Sequence, residues 1–415
     1  MSSRLSFRLL GGFLLGFGWL LVACGQPGAA LPTQVAAAAL TPGGGDGIVP
    51  PTWTAAPPPT MTPDGAAGPA STPTPSRTPL PIPTNTPFTP PPTFTPGPES
   101  TPETTVTPDR LPLGAYGPDE AIPLAAFPRP PGDNGWGMHW IPTVKQEPAV
   151  VDRFVAEAGR MHIKWVVFLN DGTNVGDNDY LVRQLVANNI MPVMRLYRSN
   201  VTPYDGDLGA VVRHYRSLGV YYFQLYNEPN VNVENDQGFA NPIHYAAVWA
   251  DAAREVIANG GLPGFGAFSP GGAFDHYEFL DRTLRALEHN GDLDLLNRAW
   301  LSVHNYHGTR PHDDPDGFLL FRKYDAIVRS HLLRSMPMIG TEGGSYSDSE
   351  ETVKNLLTYQ YTYMRDAEPY FMAFSYWLLA NQVGGSHDDR WEYQALFRDG
   401  YVHPVVADFF YQNSE

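Results

Sequence analysis

Short apolar runs recur along the chain from about residue 119 onward, and each run ends in turn-forming residues. Runs of this length, rich in β-branched and aromatic residues, predict buried β-strands. The sequence predicts eight such strands, at residues 135–139, 165–169, 191–197, 221–226, 264–269, 300–305, 337–341 and 371–377.

Amphipathic segments lie between the predicted strands. Residues 149–161 and 179–189 carry apolar residues at helical spacing. Asn241 followed by Pro242 predicts a helix start, because Asn caps helices and Pro suits the first helical position. Ser347 and Glu350 have the spacing of a capping box ahead of a helix at residues 349–367.

This alternation of strands and helices predicts an α/β fold. Eight regular βα units in a single domain are typical of a (β/α)8 TIM barrel. The main alternative is a doubly wound open sheet. No glycine-rich phosphate loop follows any predicted strand, which weakens a dinucleotide-binding interpretation.

The first residues have the pattern of a targeting segment. Arg4 and Arg8 precede an apolar stretch that is short and rich in glycine, as in a signal peptide. The sequence Leu21-Val22-Ala23-Cys24 resembles the lipobox of bacterial lipoproteins. That resemblance implies a signal peptide at residues 1–23, lipidation of Cys24 and a membrane-anchored protein at the cell surface. The alternative is an ordinary signal peptide with an incidental cysteine.

A proline-rich segment follows and occupies the rest of residues 24–118. It holds more than half of the chain's 42 prolines, mixed with Thr, Ala and Gly. Because proline removes backbone donors and apolar residues are sparse, we expect a disordered linker rather than a packed domain. It is typical either of a stalk or of a passive spacer. Residues 119–415 are then the folded domain, which contains the predicted barrel.

The net charge limits the partners of that domain. The chain carries a formal net charge of −16, and the segment before residue 119 is nearly neutral. A strongly acidic domain is unsuited to nucleic acid. The charge favours a neutral ligand, and the alternative is that it serves only solubility. We also expect no cofactor and a monomeric protein.

Two glutamates are the main candidates for chemistry. Glu228 follows the fourth predicted strand and Glu342 follows the seventh. In a (β/α)8 barrel the carboxyl ends of all strands meet at one rim, which is where active sites form. Two carboxyl groups flanking a bond can cleave a glycoside, one as the acid and the other as the nucleophile or base.

The residues around both glutamates resemble the retaining glycoside hydrolases of clan GH-A. The resemblance rests on Asn227-Glu228-Pro229, on Glu342, on His304-Asn305-Tyr306 and on Trp377 of the eighth strand. The closing stretch at residues 395–400, followed by Pro404, is similar to the ending of many family 5 and family 39 members.

The resemblance implies a role for each matching residue. It implies that Glu228 is the general acid/base, Glu342 the nucleophile, and Asn227 a ligand of the sugar 2-hydroxyl group. It implies that Tyr306 orients Glu342 or tunes its charge. His304 would line the sugar site, and Trp377 would stack on the sugar ring.

Two further residues are candidates by position. Arg195, at the end of the third predicted strand, could keep Glu342 ionised. In family 5 the corresponding arginine comes earlier in the barrel, so a structural ion pair is the alternative for Arg195. His139 ends the first predicted strand and is a candidate sugar contact, with ordinary packing as the alternative.

Other features are less specific. His304, His307 and His312 with nearby aspartates do not have the spacing of a zinc or calcium site, so we predict no metal. Tyr197, Trp391, Tyr393 and the loop at 381–389 are candidates for further sugar subsites or are ordinary surface.

The sequence therefore predicts a surface-anchored retaining glycosidase acting on a polysaccharide or oligosaccharide. One alternative is a catalytically inactive carbohydrate-binding lipoprotein on the same scaffold, since a fold does not secure a function. Another is a solute receptor, but that class has two lobes and eight βα units do not predict them.

Overall fold

The structure, a computed structural model, describes residues 116–117, 120–345, 347, 349–381 and 394–413. Residues 1–23, Cys24 and the linker up to residue 115 lie outside the described residues, as do Trp391 and Tyr393. The lipidation, linker and domain-boundary interpretations therefore stay predictions. Within the described part of the chain, no helix is long and apolar enough to cross a membrane.

Eight parallel strands close into a barrel in sequence order. The pairing closes because Met138 of the first strand pairs with both Val166 of the second and Tyr376 of the eighth. The register shifts by a residue in the pairings of the fifth strand with the sixth, the sixth with the seventh and the seventh with the eighth. The strands are β1 (Trp136–His139), β2 (Trp165–Asp171), β3 (Met191–Tyr197), β4 (Tyr222–Leu225), β5 (Leu262–Phe268), β6 (Trp300–Tyr306), β7 (Met338–Gly344) and β8 (Phe371–Tyr376).

Helices follow the strands and cover the outside of the barrel, which confirms the predicted (β/α)8 TIM barrel. They are α1 (Pro148–Arg160), α2 (Asp179–Ala187), α3 (Leu208–Leu218), α4 (Pro242–Ala258), α5 (His276–Asn290), α6 (Phe321–Leu332), α7 (Glu350–Tyr363) and the short α8 (Pro404–Asp408). A two-stranded antiparallel hairpin, β9 (Phe397–Arg398) and β10 (Tyr401–Val402), precedes α8.

Large side chains fill the amino-terminal end of the barrel. Trp165, Tyr222 and Trp300 begin three strands and form one buried cluster with Leu262 and Met191. Ile122 and Phe127, which flank a 3-10 turn ahead of β1, pack onto this cluster from below. This end is therefore closed by apolar packing, and polar side chains are left for the opposite rim.

Most predicted strands lie within one to three residues of the observed ones. The clearest difference is β7, which we expected to end at Thr341 because two glycines follow Glu342. The strand instead continues through Gly343 and Gly344, pairing His304 with Glu342 and Tyr306 with Gly344. A Cβ on Gly343 would lie 2.3 Å from the Phe374 ring, so glycine here permits close strand packing rather than a turn.

The helix starts follow local chemistry. Asn241 caps α4 by accepting from the backbone N–H groups of Ile243 and His244, as predicted. The capping box predicted from Ser347 and Glu350 is wrong, because Ser349 is the capping residue of α7 and accepts from Thr352 N–H at 3.3 Å. The Ser347 hydroxyl oxygen instead accepts from the N–H of Ser349, two residues further along the chain.

Candidate active site

The predicted site residues meet at the carboxyl-terminal rim of the barrel. His139 is the last residue of β1, and Arg195 lies two residues before the end of β3. His304 and Tyr306 end β6, Glu342 lies inside β7, and Trp377 directly follows β8. With Glu228, which follows β4, six strands contribute, so the site exists only when the barrel closes.

A constrained loop positions Glu228. The chain leaves β4 at Leu225, and Glu228 has a φ of 37°, in the left-handed region that non-glycine residues rarely adopt. Its N–H donates to the Ala267 carbonyl of β5 at 3.0 Å, and its own carbonyl accepts from Val231 N–H at 2.8 Å. These backbone bonds hold the conformation and leave the side chain 3% exposed at the rim.

The Glu342 carboxylate accepts hydrogen bonds from one charged and one neutral donor. Arg195 on β3 forms a buried ion pair with Glu342 Oε1. The hydroxyl of Tyr306 donates to Glu342 Oε2 at 2.9 Å. Both carboxylate oxygens are therefore engaged by donors, which suits a group that carries negative charge.

His304 lies between the two carboxyl groups. Its Nδ1 lies 2.9 Å from Glu228 Oε1, and its Nε2 lies 3.7 Å from Glu342 Oε1. The ring is fully buried. One oxygen from each glutamate, together with a His304 nitrogen, lies within 4.8 Å of the others. The two carboxyl groups thus face each other across a short gap.

That trio also has the composition of a metal-ligand set. Carboxylates and imidazole can bind a divalent cation, and one ligand atom from each of Glu228, His304 and Glu342 is in reach. However, the guanidinium of Arg195 lies directly on Glu342 Oε1. Its positive charge opposes a cation at that oxygen, so the contacts favour acid–base chemistry over metal binding.

His139 and Trp377 form one wall of the site. Their ring centroids are 4.1 Å apart, and both side chains are buried. Burial lowers the pKa of His139 to about 3, with Arg195 and His304 adding to the effect and Glu342 opposing it. The imidazole is therefore neutral. Its Nδ1 faces the Trp140 carbonyl at 3.4 Å, and its Nε2 has no hydrogen-bond partner in the described part of the chain.

Asn227 is held by a carboxyl group that the sequence analysis missed. Its amide Nδ2 donates to Glu234 Oε1 at 3.2 Å, while its Oδ1 is buried without a partner among the described residues. Glu234 lies six residues after Glu228 in a short 3-10 turn and is 4% exposed. A glutamate in a polar loop is ordinarily exposed, and no sequence signal marked this one as buried.

The remaining candidates are Tyr197, two histidines that follow β6, and residues outside the described chain. Tyr197 ends β3 and is partly buried. His307 and His312 pack against each other with centroids 5.5 Å apart on the loop after β6, and neither belongs to the carboxylate group around His304. Trp391, Tyr393 and residues 382–389 lie outside the described residues, so their role as subsites stays a prediction.

Neither a protein-family profile nor any curated protein matches this sequence. Solved structures with a similar barrel include a family 39 glycoside hydrolase from Bacteroides cellulosilyticus WH2, with a TM-score of 0.48 and 13% identity over 70% of this chain and 63% of that chain. A GH128 exo-β-1,3-glucanase from Aureobasidium namibiae has a TM-score of 0.42 and 14% identity over 66% of this chain and 96% of that chain.

A β-glucuronidase from Bacteroides uniformis has a TM-score of 0.45 and 12% identity, and the match covers 67% of this chain and 34% of that chain. This chain thus spans about two thirds of the family 39 hydrolase and about a third of the β-glucuronidase. Likenesses at this level concern the barrel alone. A function can therefore be inferred only from the contacts in this chain's own site.

Proposed function

We propose that this protein is a retaining glycoside hydrolase that cleaves an O-glycosidic bond of a polysaccharide or oligosaccharide by double displacement. The observation that carries the proposal is the pairing of Glu228 with Glu342 across a gap of less than 4.8 Å between oxygens. Carboxyl groups about 5–5.5 Å apart suit retention, whereas inverting enzymes need about 6.5–9.5 Å to admit a water molecule.

The unequal surroundings of the two glutamates support their roles. Glu342 accepts from Arg195 and Tyr306, so it is the group whose negative charge the site favours. We assign it as the nucleophile. Glu228 Oε1 lies 2.9 Å from His304 Nδ1, and we assign Glu228 as the acid/base, because a general acid must keep its proton until the bond breaks and the Arg195 guanidinium, which favours an ionised carboxylate, lies on Glu342.

In the first step, a Glu342 oxygen attacks the anomeric carbon. The bond between that carbon and the leaving oxygen breaks, and the Glu228 proton moves to the leaving oxygen. In the second step, Glu228 takes a proton from water, the water oxygen attacks the anomeric carbon, and Glu342 departs as a carboxylate. The two inversions give net retention and restore both groups.

Other rim residues are assigned to hold the sugar. The neutral His139 offers Nε2 as an acceptor for a sugar hydroxyl group, since its other nitrogen faces the Trp140 carbonyl. Trp377 beside it supplies an aromatic face for the ring. Asn227 adds an amide next to Glu228. Substrate hydroxyl groups would satisfy polar atoms that are otherwise buried without partners.

The test is hydrolysis by the full chain of a panel of 4-nitrophenyl α- and β-glycosides and soluble polysaccharides. We expect turnover of at least one member. We expect Glu228→Gln to lose about 10²–10⁴-fold in rate and Glu342→Gln at least as much, with unchanged thermal unfolding. Glu278→Gln, an exposed glutamate on α5, is the matched control and keeps full activity.

Two results would contradict the proposal. One is near-normal turnover by either glutamate variant. The other is binding of a panel glycan without hydrolysis by the wild-type protein, which would indicate a carbohydrate-binding protein on the same barrel.

We further propose that the enzyme acts at the cell surface, held there by lipid on Cys24. The support is the sequence pattern Leu21-Val22-Ala23-Cys24 and the long proline-rich segment that follows it. In the native host, Cys24→Ala should move the protein from the membrane fraction to the soluble fraction. A membrane-bound Cys24→Ala variant would refute the anchor.

A further inference from the structure

The loop between β4 and α4 carries a third carboxyl group into the site. Glu234 is buried, and its backbone is held in place because its carbonyl accepts from Val201 N–H at 2.8 Å. The next residue braces the loop: Asn235 Nδ2 donates to the carbonyls of Pro229 and Val231 at 3.0 and 2.8 Å. Glu234 is therefore presented on a rigid turn rather than on a mobile loop.

Glu234 has both carboxyl groups and a guanidinium as neighbours. The charged and titratable groups that face it are Glu228 from its own loop, Arg195 and Tyr197 from β3, and Glu342 from β7. Arg195 already forms an ion pair with Glu342. Glu234 thus lies near two other carboxyl groups and a guanidinium that is already paired, and no ion pair of Glu234 occurs among the described residues.

This environment favours the protonated form of Glu234. Burial, with the nearby Glu228 adding to it, raises the pKa of Glu234 to about 8, although Arg195 and the Asn227 hydrogen bond oppose the shift. At neutral pH the group is then largely a neutral carboxylic acid. A neutral acid can both accept from an amide N–H and donate its own proton.

The partner of Glu234 is the amide of Asn227, the residue that directly precedes Glu228 in the chain. One end of the amide is bonded to Glu234 at 3.2 Å, and the other end is buried without a protein partner in the described structure. We propose that Glu234 is a positioning residue that locks the Asn227 amide so that its free end meets a substrate hydroxyl group beside Glu228. This inference rests on the proposed hydrolase function.

Two substitutions separate positioning from mere packing. Glu234→Gln keeps a carbonyl that accepts from Asn227, whereas Glu234→Ala removes the contact. On whichever panel glycoside the wild type hydrolyses, we expect Glu234→Ala to lower kcat/KM about 10- to 100-fold through loss of alignment. Glu234→Gln should recover activity to within about threefold of wild type. Equal losses in both variants would overturn the proposal.

A double-mutant cycle tests whether Glu234 acts through Asn227. If it does, Glu234→Ala should change kcat/KM little in an Asn227→Ala background, because the amide it holds is already gone. Additive losses would show that Glu234 acts independently, and the proposal would be wrong.

A readout without turnover keeps this inference distinct from the hydrolase proposal. Crystal structures of the Glu234→Ala and Glu234→Gln variants should show Asn227 in a changed rotamer in the first and unchanged in the second. An unmoved Asn227 in Glu234→Ala overturns the positioning role, whether or not any glycoside is hydrolysed. Absence of turnover by the wild type on the whole panel would instead count against the proposed function alone.

Discussion

Removing the Tyr306 hydroxyl group isolates one contact of the assigned nucleophile. In Tyr306→Phe the ring remains, so its packing with Trp377, Leu378 and Ala395 is preserved. The change deletes the 2.9 Å hydrogen bond to Glu342 Oε2 and leaves the Arg195 ion pair in place. The variant therefore probes charge stabilisation rather than the shape of the site.

The size of the effect follows from the kind of bond. A hydrogen bond to a charged group contributes about 1.5–3 kcal/mol. At about 1.4 kcal/mol per tenfold change in rate, that free energy corresponds to a loss of about 10- to 150-fold in kcat. We expect the loss in kcat rather than in KM, because the hydrogen bond orients Glu342 for the transition state more than it contributes to substrate binding.

The assay is initial-rate kinetics on the panel glycoside that the wild type hydrolyses, with thermal unfolding measured alongside. The matched control is Tyr180→Phe, because the Tyr180 hydroxyl also donates to a carboxylate, Asp152 Oδ1, at 2.7 Å, but on the surface. The control should keep wild-type kcat. A Tyr306→Phe kcat within twofold of wild type, with unchanged unfolding, would refute the role given to this contact.

Three further predictions concern stability and charge. His139 has a pKa of about 3 in the folded protein and about 6.5 in the unfolded protein, so its contribution to folding stability is full above pH 6.5 and declines as the pH falls toward 3. At pH 4.5 we expect this group to contribute about 3 kcal/mol less than at neutral pH. Urea unfolding at pH 4.5 and 7.5 should therefore show a smaller loss of stability in His139→Gln than in the wild type. Equal pH dependence in both proteins would contradict that. Gly343→Ala places a Cβ 2.3 Å from the Phe374 ring and should cost about 1–3 kcal/mol in chemical unfolding, whereas Gly159→Ala in α1 meets no atom within 4 Å and should not destabilise the protein. Arg195→Met leaves Glu342 buried without its cation and should cost about 3–5 kcal/mol and most of the hydrolysis, so a stable and active variant would exclude the ion pair as a functional contact.

The barrel could be predicted from the sequence because each strand is a compact apolar run followed by turn residues. Parallel barrel strands are buried on both faces, so β2, β3 and β5 are nearly continuous apolar segments. Once eight strands were counted, the rim position of Glu228 and Glu342 followed from the architecture alone.

Strand ends were harder to predict than strand existence. The two glycines after Glu342 predict a turn, but in the structure β7 continues through them, because the absence of a side chain lets the strand pack closely against Phe374 and Asn305. Likewise, both Ser347 and Ser349 are suitable N-cap residues for α7, and their spacing in the sequence does not indicate which of them caps the helix. Both outcomes depend on packing against other strands and turns, which a single sequence does not encode locally.

Glu234 could not be found from the sequence for a different reason. Its burial depends on a loop folding back toward β3, through contacts such as Val201 N–H to the Glu234 carbonyl. By contrast, Arg195 is a candidate because it lies near the end of a predicted strand, where position predicts which rim a side chain reaches. Tyr306 is a candidate because His304-Asn305-Tyr306 resembles the pattern of the glycoside hydrolase clan. The structure places both on Glu342.

The central claim is that Glu342 bonds covalently to the sugar. A 2-deoxy-2-fluoro analogue of the hydrolysed glycoside, carrying a good leaving group, slows the second step and should trap that bond. Peptide mass spectrometry should then find one fluoroglycosyl group on the peptide containing Glu342, and none in Glu342→Gln. A label on another residue, or rapid hydrolysis with inversion at the anomeric carbon and no label, would contradict the account.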